Sequence, residues 1–388
     1  MNLIIFLTLG ICLYVLLFVR GALKYWILAL CSATLIYMVI YSDTGSVTII
    51  SGSSNISSYE PNGEKRPLRV LAPDAINFDA IYDQLALDTG IVVERITYHD
   101  AEDFKKIIES KRQFDITIAA DYLCVWLNDI GRTEEIDYKR IHNDKLLSPL
   151  ITTEDSLRPL LRTSAPYLFN SLGIGYNRYY FDDIPLNWDE IGEVIFSPEL
   201  KGHVLIHSDM RYVLGLMLSA SKFSFNSTDP KEIKIAGDLL IKLMDASLPY
   251  LKDEDGIDHF IDESVYIGIT TSSELTKSMA TNPKLRFVHS AGGSIMILTN
   301  FAIAKNATNR STAYEFIDYM YNPRVAAKVT NQTYVANFID DSKPFVNPLI
   351  LNAPSYFFPK FDDSIIREDF SDKQKILEDT WAVAMKHY

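Results

Sequence analysis

The residues best equipped for chemistry are His203, His207, Asp209 and Tyr212, gathered within ten positions. If the strand HVLIH (203–207) ran on through Asp209, both imidazoles and the carboxylate would share one face, with the phenol close behind. Such nitrogen and oxygen ligands can hold a transition metal, ferric iron included. A strand histidine is more often packed or solvated, so the metal site is the lesser reading. No GxSxG, HExxH or P-loop pattern occurs, and Ser51-Gly52-Ser53 forms no nucleophile elbow. Asp182-Asp183 and Asp340-Asp341 read as solvated loop charges. Of three cysteines, Cys12 and Cys31 lie in apolar segments and Cys124 stands alone, which leaves no disulfide framework and no paired metal thiolates. Cys124 reads as a small buried hydrophobe. Neither an enzyme nor a resident cofactor is expected.

The chain around these residues has 388 positions, 48% of them apolar, and a net charge of −13. Arg20 and Lys24 are the charged residues of the first 41, so the remainder carries −15. So acidic a surface argues against nucleic acid and anionic lipid as partners. Residues 2–19 and 25–41 are two apolar runs separated by RGALK. Each is near the ~17–25 residues that cross a bilayer as a helix. Cations favour the cytoplasmic side, so the sequence predicts a transmembrane helical hairpin over 1–41 with both ends outside. A signal peptide is the alternative for 25–41, and either reading places the rest of the chain outside the cytoplasm. The Ser-, Gly- and Asn-rich stretch 42–66 reads as a flexible tether.

From Leu68 onward, strand and helix patterns alternate. Strands are expected at 68–71, 91–96 and 114–120, with helices at 78–88, 101–110 and 122–130. This order implies a parallel sheet covered by helices. The stretch 166–180 reads as a crossing strand into a second α/β pattern, with strands at 203–207, 265–270 and 294–304 and a helix over 233–244. Two α/β lobes joined by two crossings enclose a cleft, the usual place for a small ligand.

Several stretches, in order and almost without gaps, resemble periplasmic spermidine/putrescine-binding proteins of ABC transporters. They include DTGIVVERITYHDAEDF near 88–104, FDITIAADY at 114–122 and APYLFNSLGIGYN at 165–177. NWDEIGEVIFSPELKG at 187–202, AGGS at 291–294 and FAIAKNATNRSTAYEFIDYMYNPRVAAKV at 301–329 continue the match. The resemblance covers about Leu68 to Phe358. It implies a two-lobed, type II-like periplasmic binding fold, with lobe 1 over 67–164 plus 297–338 and lobe 2 over 165–296 plus 339–388. It also implies a role in capturing a small organic cation, with a permease and an ATPase as partners, at the periplasmic face of the inner membrane. In this family carboxylates meet the amines and aromatic rings cover the methylenes, as cation chemistry requires.

The family's pocket carries over thinly. Its Trp-Thr-Glu-Tyr run after the first strand falls on Pro73-Asp74-Ala75-Ile76, leaving Asp74 as the nearby carboxylate. A family Ser and Tyr fall on Ala120 and Tyr122, and a family Asp and Glu on Asp209 and Tyr212. Two tryptophans fall on Thr271 and Ile297 and an Asp on Thr299; the last two shift by one residue if the insertion after Gly293 is placed differently. The candidate ligand-binding set is therefore Asp74, Tyr122, Asp209, Tyr212, Thr271 and Thr299, with Glu274 as a further replacement acid. Asp209 is equally suited to cap a helix beginning at Met210. A second functional reading keeps the binding fold as a membrane-anchored sensor or scaffold that does not transport.

Overall fold

The computed structural model describes residues 67–181, 194–247, 249–251, 258–289, 295–356 and 374–387. The apolar runs 2–19 and 25–41 and the tether 42–66 lie outside these residues. Among the described residues no helix is long and apolar enough to cross a membrane.

The first α/β half is built from β1 (Leu68–Pro73), α1 (Asp79–Thr89), β2 (Val93–Tyr98), α2 (Ala101–Glu109), β3 (Ile116–Ala120) and α3 (Asp121–Asp129). β1 pairs in parallel with both β2 and β3. Local chemistry sets the ends of these elements. Gly90 closes α1 in the left-handed conformation at φ 75°, and Asp100 caps α2 by accepting from the Asp103 N–H. β2 starts at Val93, two residues later than its apolar run suggests.

β4 (Ala165–Asn177) is the crossing strand. Up to Ser171 it pairs antiparallel with β9 (Met296–Ile303), and from Leu172 it pairs antiparallel with β7 (Ile267–Thr271). β9 continues to β3, so with β5 (Val204–Ile206) and β6 (Tyr250–Leu251) the two sheets form one path in the order β2-β1-β3-β9-β4-β7-β5-β6. The second half contains β5 (Val204–Ile206), α4 (Met210–Ala220), α5 (Pro230–Ser247), β6 (Tyr250–Leu251), β7, α6 (Ser272–Met279) and β8 (Leu285–Val288). Here β5 is parallel to β6 and β7. β8 lies on β4 from Ile174 to Asn177, so β8 and β9 form a second crossing beside the first. Gly173 permits this approach, since a Cβ there would sit 2.6 Å from the Val288 carbonyl oxygen.

Helices α7 (Arg310–Met320) and α8 (Pro323–Thr333) return to the first half, followed by β10 (Ala336–Asn337), which pairs with β4. Phe316, Tyr321, Phe301 and Tyr167 are fully buried there. Val346 and Ile350 pack on Ala327 of α8, which carries residues 340–351 with that half. α9 (Gln374–Ala384) packs against α4 and α5 of the second half. Nine consecutive residues of α4, Arg211–Ser219, are buried. An Arg69–Asp115 ion pair at 3.0 Å joins β1 to the loop before β3, and Asp115 also accepts from the backbone N–H of Thr308 and Asn309.

Candidate functional site

A central strand is normally covered on both faces. β9 departs from this rule. Its neighbours cover Met296, Leu298 and Asn300, yet Ile297 and Thr299 are half-buried. β4 is buried at every position except Asn170. The register explains the coincidence. Thr299 stands opposite Ala120 on one side and Leu168 on the other, Ile297 opposite Asn170, and Leu172 opposite Thr271. Residues directly opposite share a face, and so do alternate residues of one strand. Ala120, Thr299, Ile297, Asn170 and Thr271 therefore form one row across β3, β9, β4 and β7, and its middle is open to solvent. This row, at the join of the two halves, is the floor of the candidate site.

Three helices begin beside the floor. α3 follows β3, α4 follows β5, and α6 follows β7, so each helix starts at the carboxyl end of a strand. Asp121 opens α3, is buried, and accepts from the Tyr122 N–H at 2.9 Å. Asp209 caps α4, its Oδ1 accepting from the N–H groups of Arg211 and Tyr212 at 2.9 and 3.1 Å. Thr271 and Glu274 form a reciprocal capping box on α6. Where the halves meet, the rings of Tyr122 and Tyr212 are 6.1 Å apart and nearly perpendicular. Both are buried, and burial, followed by the charge of Asp209 or of the other phenol, raises both phenols well above their usual range, so both stay neutral. Arg211, also buried, donates to the Phe225 carbonyl at 3.0 Å and to Asn226 Oδ1 at 3.0 Å. Its burial lowers the guanidinium to about 10, partly opposed by Tyr122, Asp209 and Asp121, so it remains a cation at neutral pH.

The crossing itself is pinned by amides and hydroxyls. Asn170 Oδ1 accepts from Ser272 Oγ at 2.7 Å and from the Ser273 N–H at 3.1 Å, while its Nδ2 donates to Ser273 Oγ at 2.7 Å. Ser171 Oγ lies 2.7 Å from His289 Nε2, and burial pushes that imidazole down to about 4.

Of the six residues expected from sequence, the structure brings Tyr122, Asp209 and Tyr212 together and places Thr271 and Thr299 on the floor row. Asp74 follows the end of β1 and is exposed, with its Oδ2 3.1 Å from His99 Nδ1. Glu274 is held by the Thr271 N–H and Thr270 Oγ1. The shared face expected for His203, His207 and Asp209 does not form, because β5 ends at Ile206. His203 stacks on Tyr266 at 4.0 Å, with Nδ1 2.8 Å from the Ser264 carbonyl. His207 turns to Tyr212 and accepts the Asp209 N–H at Nδ1. Among the described residues no group of three or more His, Cys, Asp or Glu is placed to hold a metal ion. Sequence reasoning missed Asn170, Asp121 and Arg211. Asn170 was visible as an amide inside an otherwise apolar strand, whereas nothing in the spacing marked Arg211 as buried.

A family model for bacterial extracellular solute-binding proteins matches residues 80–350. The spermidine/putrescine-binding periplasmic protein of Salmonella typhimurium is 25% identical over 252 residues, covering 64% of this chain and 71% of its own. The Escherichia coli protein of the same description matches with the same identity and coverage. The crystal structure of the spermidine/putrescine ABC transporter substrate-binding protein PotD from Streptococcus pneumoniae superposes with a TM-score of 0.69 at 25% identity, over 83% of this chain and 99% of that one. A putative spermidine/putrescine ABC transporter protein from Listeria monocytogenes shares the fold, with a TM-score of 0.71 at 23% identity over 83% and 98% of the two chains. With a two-lobed α/β architecture, paired crossings and a cleft floored by their central strands, this chain belongs to the bacterial extracellular solute-binding protein family.

Proposed function

We propose that the protein is the solute-binding subunit of an ABC importer, capturing a small organic cation of the putrescine/spermidine type and delivering it to a permease with its ATPase. The observation that carries this reading is the solvent-open floor of Asn170, Ile297 and Thr299 beside two carboxylates, Asp121 and Asp209, and two tyrosines, Tyr122 and Tyr212. Carboxylates supply the charged acceptors that an ammonium needs once it leaves water. Aromatic rings cover methylenes and attract cations. The relatives described as spermidine/putrescine-binding support the same ligand class.

The lobe limits expected from sequence enter this proposal with one change. Residues 340–351 go with the first lobe because they pack on α8. The hairpin over 1–41 serves as a membrane anchor and 42–66 as its tether, a reading supported by the apolar runs and the RGALK loop. Reporter fusions after Tyr41 should then be active only outside the cytoplasm. Isothermal titration of the full chain with putrescine and spermidine tests the ligand class. Binding by neither amine at millimolar concentration would remove the polyamine reading.

A further inference from the structure

The far end of the second half holds an aromatic stack that lies outside the candidate site. The Tyr180 and Tyr266 rings are 3.7 Å apart at 19°, and His203 stacks on Tyr266 at 4.0 Å and 8°. Two parallel neighbours at these separations must occupy opposite faces of Tyr266. Backbone bonds fix the pair. The Asn177 N–H donates to the Tyr266 carbonyl at 2.8 Å, the Tyr180 N–H to the Asn177 carbonyl at 3.0 Å, and the Tyr266 N–H to the His203 carbonyl at 2.9 Å. Tyr179 is placed differently. Its ring meets Tyr180 at 86° and lies under the Lys284 ammonium, which pairs with Glu263 at 3.0 Å. Tyr266 precedes β7 and stands roughly 17 Å along that strand from Thr271 of the floor row.

Carbon atoms in contact lie about 3.5–4.0 Å apart, so nearly parallel rings with centroids 3.7 Å apart have little lateral offset. The carbons ortho to each hydroxyl are then within van der Waals reach of the facing ring. Tyr180 is 38% exposed, which admits a small oxidant to the pair. An electron taken from either ring leaves a positive hole that the facing ring attracts, as aromatic faces attract cations. The family to which this chain belongs is extracellular, and the thiol reductants of the cytosol are absent there.

We infer that Tyr180 and Tyr266 form an oxidative modification site, where peroxide acting with a one-electron catalyst makes a dityrosine link. Each phenol gives up one electron and one proton. The two phenoxyl radicals join through their ortho carbons, and the hydrogens on those carbons shift to the oxygens. One peroxide takes up the two electrons and two protons and leaves as two waters. The link fastens the turn after β4 to the start of β7 and leaves the floor free. Treatment of the full chain with peroxide and a small haem catalyst tests this, whatever solute the protein binds. Peptide mass spectrometry should find the Tyr180 and Tyr266 peptides joined within one chain and lighter by two hydrogens, and dityrosine fluorescence should appear. Tyr180→Phe and Tyr266→Phe keep the stacked rings and should each abolish that fluorescence, whereas Tyr179→Phe should retain it. No link in the wild type, a link through Tyr179 in place of Tyr180, or fluorescence unchanged in Tyr266→Phe would overturn the inference. The wild-type peptide map is decisive even if a variant does not fold.

Discussion

Asp209 does two jobs in this structure, and one substitution separates them. Its Oδ1 caps α4 through the Arg211 and Tyr212 N–H groups, and its charge faces the junction of Tyr122 and Tyr212. Asparagine caps helices about as well as aspartate, so Asp209→Asn should change stability by only a few tenths of a kcal/mol, whereas Asp209→Ala should cost about 0.5–2 kcal/mol. Binding should respond differently. Asp209→Asn removes one carboxylate charge from beside Tyr122 and Tyr212. Loss of a charge-assisted hydrogen bond is worth roughly 1.5–3 kcal/mol, or about 10- to 150-fold in affinity. Isothermal titration with the amine that binds best, alongside urea denaturation of the same samples, reads both quantities. If Asp209→Asn binds within about twofold of wild type, Asp209 is a helix cap and nothing more.

Three further outcomes are expected. Tyr122→Leu and Tyr212→Leu should couple in a double-mutant cycle by about 0.5–1.5 kcal/mol, because their rings meet between the two halves, and strict additivity would deny that contact. Burial works to raise the Asp115 carboxyl, but the hydrogen bonds and charge of Arg69 overcome it and hold it below the usual carboxylate range, so its stabilisation is present above about pH 3.9 and lost as pH falls through the lower native value. Asp115→Ala, which strands the guanidinium, should cost about 3–5 kcal/mol in urea denaturation at pH 7. His289 is held down to about 4, so between its unfolded value near 6.5 and that point the unfolded chain binds a proton the native one refuses. Stability should therefore drop by up to about 3 kcal/mol as pH falls through this window, and His289→Gln should flatten the slope.

Much of this fold can be read from the chain alone, since each half relies on local signals. Gly90 ends α1, Asp100 starts α2, and the apolar stretch 166–180 predicts a crossing strand, observed as Ala165–Asn177. The site is less legible because it depends on where strands stop and how they register. HVLIH invites a five-residue strand, but β5 has three residues, and that difference turns His203 and His207 to different neighbours. The row joining Ala120, Thr299, Ile297, Asn170 and Thr271 is a product of pairings over long sequence separations, which no local pattern encodes. Asp209 was legible as a helix start, yet only the contact between the Tyr122 and Tyr212 rings shows that this start meets α3.

The same placement constrains how the cleft can recognise a cation. Helix N-termini carry partial positive charge from their unpaired N–H groups, an arrangement that by itself favours anions. Three of them, from α3, α4 and α6, start beside this floor, and each has an acid within its first turn or cap: Asp121, Asp209 and Glu274. Part of every carboxylate is therefore committed to the helix it starts, as the hydrogen bonds to Tyr122, Arg211, Tyr212 and Thr271 show. On the proposed reading, a cation would meet carboxylates already engaged with helix starts, backed by ring faces and neutral donors. Its affinity should accordingly depend more on the ligand's fit along the floor than on the number of its positive charges.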